Sequence, residues 1–110
     1  MTVEYQLTPK AKNDLWQIWH YSIDIWGEQQ ADKYTKQLYD RFQWLADNPL
    51  LGSSKDEIKA GYRSWKEGEH LIFYRIADDN TIEIIGIPHQ GMDTPQHLSI
   101  EESPKENPYR

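Results

Sequence analysis

Hydrophobic periodicity changes once along this chain, and that change does most to limit what it can fold into. From Pro9 to Asp47 apolar residues recur every three or four positions. From Tyr62 to Ile87 they come in short runs bounded by turn residues. The first spacing describes helices with one buried face, the second describes strands. Helices followed by strands pack as segregated layers, an α+β arrangement.

Punctuation divides the two halves further. Thr2 to Leu7 alternates, with Val3, Tyr5 and Leu7 on one side, as a half-exposed strand does. Thr8-Pro9 starts a helix: the threonine caps free backbone N–H groups, and proline suits the first helical position. Ala11, Leu15, Ile18, Trp19, Ser22 and Trp26 follow the helical spacing, and Gly27 fits a helix cap. A second helix is predicted from about Glu28 to Asp47, with Ala31, Tyr34, Leu38, Phe42 and Leu45 on one face and Asn48-Pro49 as its stop. The tight Gly27 junction makes the two an antiparallel helical hairpin. Pro49 to Asp56 reads as a loop. Tyr62–Trp65, His70–Ala77 and Thr81–Ile87 read as strands, joined by turns at Glu67-Gly68 and Asp78-Asp79-Asn80 into an antiparallel meander. The first strand pairs most simply at an edge of that sheet, and the helical hairpin covers one face. After Pro88 a turn and a short helix from Thr94 to Leu98 are expected. The tail, residues 99–110, is poor in apolar residues and reads as disordered.

A chain of 110 residues suits one domain, placed at residues 1–98, with one core. Hydrophobic content is only 37%, but five Trp and seven Tyr enlarge what a small core buries. Without cysteine there is no disulfide, thiolate metal site or cysteine nucleophile. No basic-then-apolar leader opens the chain and no run reaches the length of a membrane span, so a soluble cytoplasmic protein is expected. The formal net charge of −6 disfavours direct non-specific binding to nucleic acid, which is driven by phosphate neutralisation.

Five ordered stretches carry a family likeness. They are Leu7-Thr8-Pro9-Lys10-Ala11 with Asp14-Leu15; Trp26-Gly27-Glu28-Gln29-Gln30-Ala31; Leu45-Ala46-Asp47-Asn48-Pro49 with Gly52; Gly61-Tyr62-Arg63-Ser64-Trp65 with Gly68, His70 and Ile72-Phe73-Tyr74-Arg75-Ile76; and Ile82-Glu83-Ile84 with His89-Gln90 and Met92-Asp93. Together they resemble the ParE toxins of the RelE/ParE superfamily, over about Gln6 to Leu98. The resemblance implies the RelE/ParE-like fold: an N-terminal strand and an antiparallel helical hairpin on a small antiparallel sheet, with a short C-terminal helix or turn. It implies the toxin of a type II toxin–antitoxin system, which binds DNA gyrase, stabilises its cleaved DNA complex and so blocks replication. Growth arrest and maintenance of a plasmid or chromosome would follow. It also implies a cognate ParD-like antitoxin as partner in a hetero-oligomer, and no cofactor. The alternatives within the superfamily are a ribosome-dependent mRNA endonuclease of the RelE type and a non-toxic scaffold that only binds antitoxin. Where ParE-like chains often carry arginines around the His-Gln motif, this chain has Gly86 and Gly91. The C-terminal element is the one most often tied to toxicity in that family.

Against this background no catalytic residue is assigned. A ribonuclease needs cations and an acid–base group around the reacting phosphate. Arg63 and Arg75, on adjacent strands, could share a sheet, but their ordinary role is an ion pair, and guanidinium forks suit the carboxylates of an acidic antitoxin. They are read as partner-binding residues, together with Trp65, His89, Met92 and Asp93. His89 has an acid–base pKa but no evident partner base, so capping or packing is the simpler role. His70 reads as half-exposed and structural. His89, Asp93 and His97 have helical spacing for a metal site, but Pro88, Gly91 and Pro95 break such a helix, and no metal is expected. The Trp16, Trp19 and Trp26 stripe reads as core or as the lining of the hairpin groove. Trp44 falls off the core face, either as a partly buried ring or as an exposed partner contact.

Overall fold

The computed structural model describes residues 4–78 and 81–91 together with Leu98. In chain order these form β1 (Glu4–Leu7), α1 (Pro9–Trp26), α2 (Glu28–Asp47), β2 (Ser53–Ser54), β3 (Arg63–Glu67), β4 (His70–Asp78) and β5 (Thr81–Gly86). The expected Asp79-Asn80 portion of the last turn, the first residues of the N-terminal strand, the Thr94–Leu98 helix apart from Leu98, and the 99–110 tail lie outside the described residues.

Thr8 joins the first strand to the first helix by chemistry that its sequence position suggests. Its backbone is extended, and its Oγ1 accepts from the Ala11 N–H at 3.0 Å, capping α1. The same hydroxyl donates to the Ile85 carbonyl at 2.8 Å, and the Thr8 N–H donates to the Ile84 carbonyl at 3.1 Å. The start of α1 is thereby tied to β5. Gly27, at φ 92°, forms the corner between the antiparallel helices.

The strands form one sheet in the order β1-β5-β4-β3-β2. β1 pairs at the edge, the simplest place expected for it, but it runs parallel to β5, with Tyr5 opposite Ile82 and Leu7 opposite Ile84. The sheet is therefore mixed. β3, β4 and β5 are the expected antiparallel meander. β2 lies within residues 49–56, a stretch whose sequence predicts a loop. Its two residues pair with Ser64 and Arg63, and two residues are too few to show any period. The β3–β4 hairpin turns through Gly68 and Glu69. Gly68, at φ 59°, occupies the first loop position, where a type II′ turn calls for glycine.

The hairpin covers one face of the sheet. Leu15, Ile18, Leu38, Phe42 and Leu45 meet Ile72, Tyr74, Ile82 and Ile84 in the main core. Truncating Leu38 or Phe42 to alanine in such a core costs about 2–5 kcal/mol. On the other face Tyr62, Phe73, Ile85 and Leu98 form a smaller cluster with Ile58 and Leu71 against it.

The tryptophan stripe departs from its core reading. The buried face of α1 is Ala11, Asp14, Leu15, Ile18 and Ser22. Trp16 stands roughly 200° of helical rotation from Ile18 and is 62% exposed, while Trp26 is 52% exposed. Trp19 is half-buried, its Nε1–H donating to Asp32 at 2.9 Å. The charge on the buried face is matched. Asp14 accepts from the Ile87 N–H at 2.8 Å and pairs with Lys10 at 3.2 Å. A charge buried without such partners would be strongly destabilising.

Candidate functional site

Four side chains from three elements meet beside the helical corner. Tyr34 rises from α2 over the β3–β4 turn. A Cβ on Gly68 would lie only 2.6 Å from the Tyr34 ring, so glycine serves both the turn and this approach. The tyrosine hydroxyl accepts from the Glu69 N–H at 3.1 Å, donates to the Glu67 carbonyl at 3.2 Å, and lies 2.7 Å from His70 Nδ1. A hydroxyl has one proton and two lone pairs. All three contacts are satisfied when His70 carries its proton on Nδ1. Burial, then the neighbouring His89, holds the His70 pKa down to about 4, so its ring is neutral near pH 7. Burial also raises the Tyr34 pKa.

His89 follows β5 and makes an isolated bridge with His70, their rings 5.5 Å apart. Its Nδ1 accepts from the Gly91 N–H at 3.2 Å. The proton therefore sits on Nε2, which faces the Glu69 carboxylate at 3.3 Å. This is the packing and capping role expected for His89. Two clefts flank the pair. One, about 480 Å³, is walled by Tyr21, Trp26 and Tyr34. The other, about 570 Å³, reaches the Lys10–Asp14 pair. Both touch Tyr21, His70 and His89. Among the described residues no group of three or more His, Asp or Glu could hold a metal ion.

A second cluster closes the seam between α2 and β3. Arg41 donates to Glu67 at 2.8 Å and lies over the rings of Trp44, at 4.5 Å, and Trp65, at 5.3 Å. The two indoles are themselves 4.8 Å apart, and Trp65 Nε1–H donates to Glu67 at 3.2 Å. Trp44 is thus a partly buried ring, the blander of its two readings, and Trp65 is half-buried beside it. Cation–π contact and a charge-assisted hydrogen bond together fix Arg41.

The two arginines are on one sheet but on opposite faces. Arg63 sits opposite Tyr74, which places Arg75 one residue further along β4 with its side chain turned the other way. Arg63 donates to the carbonyls of Gly52, at 2.7 Å, and Leu50, at 3.4 Å. Tyr74 completes that clamp on the α2–β2 loop. Its hydroxyl donates to the Pro49 carbonyl at 2.7 Å and accepts from the Gly52 N–H at 2.9 Å. Arg75 pairs with its cross-strand neighbour Glu83 at 2.8 Å. Met92 and Asp93 lie outside the described residues. Sequence reading missed Tyr34, Glu69, Arg41 and Tyr74, whose roles depend on partners distant along the chain. Only the Tyr34 position on the core face of α2 hinted at any of them.

No helix among the described residues is long and apolar enough to cross a membrane. The family model for the ParE toxin of the type II toxin–antitoxin system parDE matches residues 5–94. Toxin ParE1 of Mycobacterium tuberculosis is 38% identical over 98 residues, covering 89% of this chain and 100% of that protein. Toxin ParE1 of Caulobacter vibrioides is 38% identical over 94 residues, covering 86% and 96%. Among solved structures, the chromosomal ParDE toxin–antitoxin system of P. aeruginosa aligns with a TM-score of 0.66 at 20% identity, over 81% of this chain and 96% of that one. The RelBE2 toxin–antitoxin complex of Mycobacterium tuberculosis aligns with a TM-score of 0.63, also at 20% identity, over 82% and 100%. The solved structures corroborate the fold. The sequence matches span nearly all of the described chain, and they place it in the ParE toxin family of type II toxin–antitoxin systems.

Proposed function

We propose that this toxin acts in the cytoplasm by binding DNA gyrase, stabilising its cleaved DNA complex and arresting replication, and that a cognate ParD-like antitoxin neutralises it. The observation that carries a binding rather than a hydrolytic mechanism is the placement of Arg63 and Arg75. They face opposite sides of the sheet, and each is engaged, by loop carbonyls and by Glu83 respectively. Two such cations do not converge on one phosphate, as charge stabilisation in phosphoryl transfer requires. The antitoxin assignment draws on family membership and on structural neighbours that are toxin–antitoxin systems.

Among the described residues proposed to contact partners, Arg75 and His89 offer the most exposed side chains. Arg63 and Trp65 act from within the loop clamp and the indole cluster. The segment after His89, with Met92 and Asp93, is the proposed effector element. Deleting residues 88–98 should abolish growth arrest. Leu98 belongs to the smaller core cluster, so the deletion needs a folding control. Antitoxin that still shields the truncated chain from proteolysis would separate effector loss from unfolding. Loss of both together would make the segment structural.

One observation favours the ribonuclease alternative. Tyr34, His70, His89 and Glu69 are acid–base groups gathered at one cleft. Purified protein added to a gyrase supercoiling assay and to a translation reaction distinguishes the two. Blocked supercoiling with intact mRNA supports the binding toxin; mRNA cut on ribosomes with gyrase unaffected replaces it with the nuclease.

A further inference from the structure

The cleft at the helical corner has a chemical bias of its own. Three of its walls are aromatic: Tyr21 and Trp26 are 62% and 52% exposed, and Tyr34 stands half-buried between them and the β3–β4 turn. Its polar groups are the Ser22 and Tyr34 hydroxyls, the Gln30 and Gln37 amides, neutral His70, His89 and the exposed Glu69 carboxylate, one oxygen of which faces His89 Nε2 at 3.3 Å. No lysine or arginine lines it among the described residues. Arg41 and Lys10 are committed elsewhere. Arg41 is bonded to Glu67, and Lys10 is paired with Asp14 on the far side of the His70–His89 pair. Lys33 and Lys36 line neighbouring depressions that share Trp26, Gln30 and Gln37 with the cleft, and Lys36 is paired with Asp40 at 3.0 Å.

Aromatic faces, a carboxylate and amide oxygens around a space of about 480 Å³ attract a cation and repel a phosphate or carboxylate. A planar guanidinium fits better than an ammonium. It stacks on an exposed indole while its several N–H groups reach separate acceptors. The rest of the chain, at a formal net charge of −6, adds to the attraction.

We propose that this cleft is an arginine-binding pocket that takes one guanidinium side chain from the antitoxin, stacked on Trp26 and bonded to Glu69. The proposal deepens the antitoxin reading above and rests on it. It reverses the polarity expected from the sequence, in which toxin arginines meet antitoxin carboxylates. At this site the toxin supplies the carboxylate.

Two measurements test it. In the first, the antitoxin encoded beside this chain is titrated against wild type, Glu69→Gln and Trp26→Ala, with circular dichroism as the control for folding. Each substitution should weaken the complex about tenfold or more, since buried charged and aromatic anchors dominate such interfaces. In the second, the toxin alone is titrated with N-acetyl-arginine amide or its neutral isostere N-acetyl-citrulline amide, and the Trp26 indole N–H resonance is followed. A saturable shift with the arginine compound, absent with citrulline and weakened in Glu69→Gln, is the expected result. Equal shifts with both compounds, no shift with either, or unchanged antitoxin affinity in both variants would overturn the proposal. If the wild-type chain forms no complex at all, the antitoxin reading fails with it. The arginine titration separates that failure from a cleft that does not bind guanidinium.

Discussion

His70 illustrates how much one side chain depends on its surroundings. Its native pKa, held down to about 4 chiefly by burial, lies below the ordinary histidine value of 6.5. An unfolded chain therefore takes up a proton before the native chain does as pH falls. Stability attached to this residue is fully present above about pH 6.5 and is lost progressively down to about pH 4. After allowance for solvent screening, this amounts to about 1–2 kcal/mol. Urea unfolding at pH 7.5 and pH 4.5 should show the loss in wild type and a smaller one in His70→Gln. Equal losses would assign the effect to other groups. The arginines make a contrasting pair. Arg63→Ala removes two hydrogen bonds that hold the α2–β2 loop and should cost about 1–2 kcal/mol. Arg75→Ala removes an exposed ion pair and should cost less than about 1 kcal/mol. Thermal unfolding of both variants checks the order, and the reverse order would contradict the assigned roles.

At the scale of elements, the legible part of the fold was what repeats. α1, α2 and the β3–β5 meander each present several turns or alternations of apolar residues. What local spacing does not encode was missed or misread. β2 is too short to have a period. Asp14 has no role legible in the sequence beyond the family likeness, and its bonds to Ile87 and Lys10 hold it on the buried face of α1. Trp16 and Trp26 are large and apolar, but helix geometry turns both out of the core, Trp16 to solvent and Trp26 to the wall of the corner cleft, the second of the two places expected for the stripe. The candidate site was legible only at His89 and, as a structural residue, His70, because Tyr34 and Glu69 gain their meaning from a contact across 35 residues. Gly86 was legible as a departure but not as a consequence. A Cβ there would lie 2.9 Å from Leu98 Cδ2 and 3.4 Å from Asp14 Oδ2, so a larger residue makes the Leu98 side chain shift within the smaller core. Gly86→Ala should destabilise by about 1–3 kcal/mol, as overpacking does. Leu98→Ala should lessen that penalty in a double-mutant cycle. Strict additivity would show that the two do not meet.

At the scale of the whole molecule, the fold presents two different surfaces around one sheet. The helical corner carries exposed aromatics and an acidic cleft, and the opposite face carries the Arg75–Glu83 pair and the small core sealed by Leu98. This arrangement suits the proposed binding mechanism, in which antitoxin would dock at the corner and gyrase would be engaged through the segment after β5. The net acidity disfavours non-specific binding to nucleic acid, in keeping with a target recognised through protein contacts. If inhibition is stoichiometric association, gyrase-dependent DNA cleavage and supercoiling titrated with the purified toxin at several gyrase concentrations will show it. Cleaved DNA should accumulate, the half-effective toxin concentration should rise in step with gyrase, and added antitoxin should reverse the effect. Gyrase activity unaltered at every ratio, while the same preparation cleaves mRNA on ribosomes, would contradict this mechanism of inhibition.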